Sequence, residues 1–351
     1  MAEALARARH TVYILERHPK PGQETTSRNS EVVHAGLYYP PGSLKAQLCV
    51  QGRELLADFC QRHAVDVRWT GKLIVATCAE EEPELQTIAD RAVANGARAL
   101  HLLTAAQVRR RAPQVRATQA LWSAGTGIVD AHGLVTKLRG MAEKAGAAML
   151  LRHAAVGAER STAGDWHLQV AQPDGSLELL TVDVVVNAAG LWADAVARWV
   201  CDDADLPRHT LVKGNYFDIA GPAPADTLVY PVPAKHLVGL GTHLTLDLAG
   251  RARLGPDIEP AQHRDDYKVD GQRAQTFWQA AVRFLPGLQL AQLHPGYAGI
   301  RPKLATAGFA DFYIAHEVQR GLPGWINLLG IESPGLTASL AIGQMVAAQI
   351  P

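Results

Sequence analysis

Three side chains in this 351-residue sequence stand out for the chemistry they could do: His34, His243 and Arg301. His34 sits in the irregular stretch SRNSEVVHAGLYYPPGSLKAQLCVQGREL, between a polar cluster and two tyrosines. His243 sits in GLGTHLTLD, where alternation sets it on one face of a strand. Arg301 lies in GYAGIRPKL, two residues before Lys303. An imidazole titrates near neutrality and can take the proton of a hydroxyl. A guanidinium holds a carboxylate through two parallel hydrogen bonds. Each has a plainer reading. A lone histidine is more often a satisfied structural residue than a base, and an Arg–Lys pair is as readily a surface basic pair.

Three further stretches suit a nucleotide cofactor. HTVYILER reads as a buried strand ending in Glu16, and an acid at that point can accept hydrogen bonds from ribose hydroxyls. VDVVVNAAGLWAD reads as a buried strand running into Ala188, Ala189 and Gly190, whose small side chains admit a close backbone approach. In LLGIESPGLTASLAIG a strand meets Pro334-Gly335 and then a helix opening at Leu336-Thr337. The free N–H groups of such a helix end favour negative charge.

These residues need a scaffold, and the pattern supplies one. Residues 2–9 read as the end of a helix, 50–63 as a helix, 71–77 as a strand, and EEEPELQTIADRAVANGA as a helix with acids in its first turn. DWHLQVA and LELLTV flank a Pro-Asp-Gly turn, as in a hairpin. Residues 206–290 hold extended runs, LVKGNYFDIA, TLVYPVP and LVGLGTHLTLDLAG, then a helix over 272–286 ended by Pro286. The order implies a nucleotide-binding α/β domain interrupted by sheet-rich insertions.

Composition narrows the class. Lys+Arg and Asp+Glu both number 34, so no basic excess points to nucleic acid. The four cysteines, Cys49, Cys60, Cys78 and Cys201, form no C-x-x-C pair and no zinc-like spacing, so no metal is expected. They read as reduced thiols of a cytoplasmic protein. No run of about 18 apolar residues announces a spanning helix.

Taken in order, SRNSEVVHAGLYYPPGSLKAQLCVQGREL, GKLIVAT, GTGIVDAHGL, VVVNAAGLWAD, KGNYF, YPVP, GLGTHLTLD, GYAGIRPK and GIESPGLTASLAIG resemble the L-2-hydroxyglutarate dehydrogenase/oxidase family. That family belongs to the D-amino-acid-oxidase-like group of FAD-dependent oxidoreductases. The resemblance covers residues 2–350. It implies an α/β fold in which a discontinuous, Rossmann-like FAD-binding domain (1–45, 140–205 and 290–351) carries a mixed or antiparallel-sheet substrate domain (46–139 and 206–289). It implies that Glu16 holds the adenosine ribose. Ser27, Arg28, Asn29 and Ser30 would line the pyrophosphate and flavin, and Ala155 would lie near the adenine through its backbone. Ala188, Ala189 and Gly190 would pass close to the cofactor. Ser333, Pro334, Gly335, Leu336 and Thr337 would bring a helix N-terminus to the flavin.

The implied chemistry is oxidation of a 2-hydroxy acid, L-2-hydroxyglutarate, to its 2-oxo acid by hydride transfer to flavin N5. His243 is the first choice for the base and His34 the second. Arg301 would clamp the C1 carboxylate, with Lys213, Tyr216 and Lys303 as candidates for the distal one. The acceptor would be a quinone or oxygen, with peripheral contact at the inner membrane. Within the same group, a glycine- or sarcosine-type amine oxidase is the alternative. The family opens on a strand and a G-x-G-x-x-G turn, and Met1 falls inside the helix that would follow them. The expectation is therefore that the 351-residue chain holds FAD weakly or not at all, and a non-catalytic remnant is the remaining alternative.

Overall fold

Lys72–Ala76 is the strand around which the largest sheet is laid, and all five of its residues are buried. The computed structural model describes residues 1–202, 204, 206–233, 241–306 and 308–351. Lys72–Ala76 pairs in parallel with Leu228–Pro231 and antiparallel with Gln119–Ser123, which pairs in turn with Leu100–Thr104. Beyond Leu228–Pro231 come Leu244–Leu246, Ala252–Leu254 and the long strand His209–Ile219, on which Leu293–Leu304 lies antiparallel. Side chains alternate between faces along a strand. Leu73 and Val75 therefore meet Val229, Leu244, Phe217 and Phe277 in one core. Ile74 and Ala76 point the other way and pack on Leu85 and Ile88 of the helix Glu82–Ala94. Apolar contact on both faces makes this sheet a rigid platform, each fully buried Leu or Ile contributing about 1.5–3 kcal/mol.

The second part of the molecule is α/β and built from sequence-distant pieces. Tyr13–Glu16 pairs in parallel with Ala148–Leu151, and Val185–Asn187 pairs in parallel with Trp325–Leu329. These are two separate sheets. Among the described residues neither Tyr13–Glu16 nor Val185–Asn187 has a second neighbour. The hairpin Trp166–Ala171/Leu177–Val182 forms as its Pro-Asp-Gly turn requires, with Ala154–Arg160 on its other side. The helix Leu44–His63 lies along the last helix, Gly335–Ala347. They touch at Gly52, where a Cβ would collide with the Thr337 carbonyl. Leu44–His63 is well started: the Ser43 hydroxyl accepts from Ala46 N, and the Asp311 carboxylate accepts from Leu44 N and Lys45 N at 2.7 and 2.9 Å.

Several local expectations change. The strand read as buried at TVYIL is half-exposed, with Tyr13 47% exposed, because it has a single neighbour. VDVVVNAAG yields a strand of only three residues, after which Ala188 and Ala189 lie exposed. The helix expected to begin at residue 50 begins at Leu44, since Ser43 and Asp311 cap it there. The helix expected to run to Pro286 stops at Ala281, with Phe284 and Leu285 turning into the core. In LVGLGTHLTLDLAG, residues 237–240 lie outside the described residues and the strand is Leu244–Leu246.

Candidate active site

The two histidines, far apart in sequence, face one another's surroundings. His34 follows the strand Val32–Val33, and its backbone N donates to Thr337 Oγ1 at 3.0 Å. Thr337 Oγ1 in turn donates to the Val32 carbonyl at 3.1 Å. This fixes the entry of the His34 loop against the last helix. On the side chain, His34 Nε2 lies 3.3 Å from Ser333 Oγ, and the Tyr39 hydroxyl lies 3.5 Å from the same Oγ. A buried ion pair, Lys45 Nζ to Glu332 Oε1 at 2.8 Å, anchors the residue before Ser333. Burial, with the charge of Lys72 and then His243, pushes the His34 pKa down to about 3. The ring is therefore neutral at physiological pH.

His243 immediately precedes Leu244–Leu246 and is 3% exposed. Its Nδ1 lies 2.9 Å from the Gly241 carbonyl. A carbonyl only accepts, so Nδ1 carries the proton and Nε2 presents a bare lone pair. Nε2 is buried and has no partner among the described residues. The ring stacks on Tyr230 with centroids 3.7 Å apart. Burial pushes the His243 pKa down to about 3, against the Gly241 hydrogen bond, and Lys72 and Arg301 add to the lowering. The result is a fixed, neutral imidazole with its basic nitrogen free.

Arg301 stands in Leu293–Leu304 opposite Val212. Its Nη2 donates to the backbone carbonyl of Asp257 at 3.0 Å. The Asp257 carboxylate is taken by Asn215 and Arg273, so Arg301 has no carboxylate partner among the described residues. Its Nε is buried and has no partner among the described residues. A half-buried guanidinium with a free edge is suited to a ligand carboxylate. Nearby, Tyr216 OH meets Ser30 Oγ at 2.8 Å and its ring stacks on Tyr297 at 4.5 Å.

The loop Ser27–Ser30 divides its duties. Ser27 and Arg28 line a cavity of about 360 Å³ together with Lys20, Gln23, His132 and Tyr297. Arg28 lies over the Tyr267 ring at 3.9 Å, and its Nε is buried with no partner among the described residues. A Cβ at Gly299 would collide with the Arg28 carbonyl, so the close packing of this loop requires glycine. Two cationic side chains and a hydroxyl around a cavity fit the phosphates of a dinucleotide, and on that observation the residues suit FAD. Asn29 instead bonds Thr25 O, Thr26 O and Glu31 N and holds the loop's shape. Glu16, at the end of its strand, accepts from His18 N at 2.8 Å. Gly190 has φ +55, with open space around it. Ala155 lies in Ala154–Arg160 opposite Val170. Pro334 caps the helix that opens at Gly335, one residue before the expected opening, and Leu336 packs on the core of Val33 and Leu56.

The structure does not bring all expected substrate groups together. Lys213 is buried and ion-paired with Asp266 at 2.8 Å, so its charge is already matched. Lys303 stands opposite Thr210, two residues beyond Arg301, outside the contacts above. Conversely, the sequence reading passed over Lys72, Tyr38 and Tyr230. Lys72 had one visible signal, a charged residue opening an otherwise apolar strand.

A family model of FAD dependent oxidoreductases matches residues 1–349. The chain is 37% identical to the mitochondrial L-2-hydroxyglutarate dehydrogenase of Arabidopsis thaliana, over 99% of this chain and 80% of that protein. It is 31% identical to the mitochondrial L-2-hydroxyglutarate dehydrogenase of Homo sapiens, over 97% of this chain and 83% of that one. The FAD-bound, dithionite-reduced L-alpha-glycerophosphate oxidase of Mycoplasma pneumoniae shares the fold, with a TM-score of 0.88 at 22% identity, covering 99% of this chain and 90% of that one. The relatives from Arabidopsis thaliana, Caenorhabditis elegans and Homo sapiens are mitochondrial, which overturns the expected cytoplasmic location. Reduced thiols and zero net charge suit either compartment, so composition had no power to separate them. With the family model spanning the chain and relatives above 30% identity along its length, the chain belongs to the L-2-hydroxyglutarate dehydrogenase family of FAD-dependent oxidoreductases.

Proposed function

We propose that the protein oxidises L-2-hydroxyglutarate to 2-oxoglutarate, with His243 as the base and Arg301 as the anchor of the C1 carboxylate. The observation that carries this reading is the His243 ring, locked through Nδ1 by Gly241 with Nε2 bare and buried. A base held in one tautomer needs no reorganisation when the hydroxyl arrives. Its low proton affinity is a consequence of burial and of neighbouring cations. A dianionic substrate against those cations cancels their field and raises the affinity of Nε2 for the hydroxyl proton. Arg301 sets which face of C2 is presented, because a two-point grip fixes orientation. Tyr216, held by Ser30 and Tyr297, walls this side of the site. His34 acts as a second neutral group opposite, positioned by Thr337 and Ser333.

FAD, when bound, supplies the acceptor for the hydride leaving C2. Arg28 and Ser27 would hold its phosphates, Glu16 its ribose, and Ser333–Thr337 the ring end. Residues 1–45, 140–205 and 290–351 would form the cofactor side, and 46–139 with 206–289 the substrate side. An electron acceptor such as a quinone or oxygen completes turnover. The test is to reconstitute the protein with FAD and compare L-2-hydroxyglutarate with sarcosine, using a dye acceptor. Formation of 2-oxoglutarate with no sarcosine turnover is expected. Preference for sarcosine would replace this reading with an amine oxidase.

A further inference from the structure

Lys72 is 1% exposed, yet no carboxylate pairs with it among the described residues. Its ammonium sits 4.5 Å from the centroid of the Tyr230 ring and 4.9 Å from that of Tyr38. The same Tyr230 ring carries His243 at 3.7 Å, so Lys72 is one ring away from the base. Among the described residues, the titratable groups that bear on it are neutral near pH 7. Burial pushes the Cys49 thiol on Leu44–His63 up to about 12 and the Tyr38 and Tyr230 phenols upward, while His34 and His243 are held down to about 3. Two aromatic faces soften the loss of hydration but do not replace an anion. The Tyr38 hydroxyl is also buried, with no partner among the described residues. A buried ammonium, an unbonded hydroxyl and neutral neighbours call for one negative charge that the described residues do not provide.

We propose that Lys72, assisted by the Tyr38 hydroxyl, binds the second carboxylate of a diacid substrate whose first is held by Arg301. This rests on the proposed oxidation of L-2-hydroxyglutarate and names the group that selects the diacid. Selectivity follows from the cost of the wrong ligand. A monocarboxylic 2-hydroxy acid satisfies Arg301 but makes no pair with Lys72 and so forgoes the second charge-assisted contact that a diacid gains. Lys213, the expected candidate, is matched by Asp266 and does not compete for this role. Burial holds the Lys72 pKa down at about 7. A carboxylate draws the proton back, so diacid binding and protonation of Lys72 are linked.

The test uses glutarate and butyrate as probes, which lack the reacting hydroxyl and need no turnover. Calorimetry on the wild-type protein between pH 6 and 8.5 is expected to show glutarate affinity falling as pH rises above about 7, with butyrate affinity flat. In Lys72→Met the preference for glutarate over butyrate is expected to drop by roughly 30-fold or more, and the pH slope to vanish. An unchanged preference in Lys72→Met would overturn the proposal. So would a glutarate affinity independent of pH in the wild type, a result that stands even where the variant fails to fold. Failure of L-2-hydroxyglutarate oxidation alongside Lys72-dependent glutarate binding would remove the proposed reaction and leave the diacid site in place.

Discussion

Thr337 joins the His34 backbone to the last helix through one hydroxyl, which accepts from His34 N at 3.0 Å and donates to the Val32 carbonyl at 3.1 Å. Thr337 is fully buried, so no water can replace it. Thr337→Val keeps the shape and removes both bonds. The loss is expected at about 1–3 kcal/mol, because two buried backbone groups are left unsatisfied. Urea unfolding of the variant measures it, and an unchanged midpoint would show that the loop is held by other contacts.

His243 carries both a kinetic and a pH prediction. His243→Asn is expected to lower kcat/KM for L-2-hydroxyglutarate by about 10²–10⁴-fold, the usual yield of a positioned base. A loss below tenfold would transfer the role to His34. In the fold its pKa is about 3 and in the unfolded chain about 6.5, so between these values the unfolded chain binds more protons. Stability is therefore full above pH 6.5 and falls toward pH 3, by up to about 1.4 kcal/mol per unit for this one group. Urea midpoints at pH 7.5 and 5.0 should differ in that direction, and His243→Asn should flatten the difference.

Lys45 and Glu332 form a buried pair, their side chains only 5% and 8% exposed. Lys45→Met strands a buried carboxylate next to Ser333 and is expected to cost about 3–5 kcal/mol. Lys45→Met combined with Glu332→Gln should recover most of that loss. Thermal melts of the single and double variants decide it, and equal melting temperatures for both would mean the pair is not coupled.

Gly299 packs against the Arg28 backbone so closely that a Cβ would collide with its carbonyl. Gly299→Ala is expected to displace the Ser27–Ser30 loop and weaken FAD retention while the large sheet stays folded. Visible absorption after reconstitution reads the first effect and circular dichroism the second. Wild-type flavin content in this variant would show that the loop does not hold the cofactor.

Much of this protein was written in local sequence. The apolar run GKLIVAT became a strand, the acid-led helix formed at Glu82–Ala94, and Pro-Asp-Gly closed its hairpin, because each depends on neighbours a few residues apart. His34, His243, Arg301 and the Ser333–Thr337 turn were legible as chemistry-bearing side chains for the same reason. What each of them does depends on partners up to three hundred residues away. Only the fold shows that Gly241 fixes the His243 tautomer and that Asp257 leaves the Arg301 edge free. Asp266 neutralises Lys213, whereas Lys72 is buried against two aromatic rings with no acid beside it among the described residues. In sequence the two lysines look alike, each in a run of apolar residues. Charge compensation in a low-dielectric interior is a matter of a few ångströms, and those distances are set by tertiary packing.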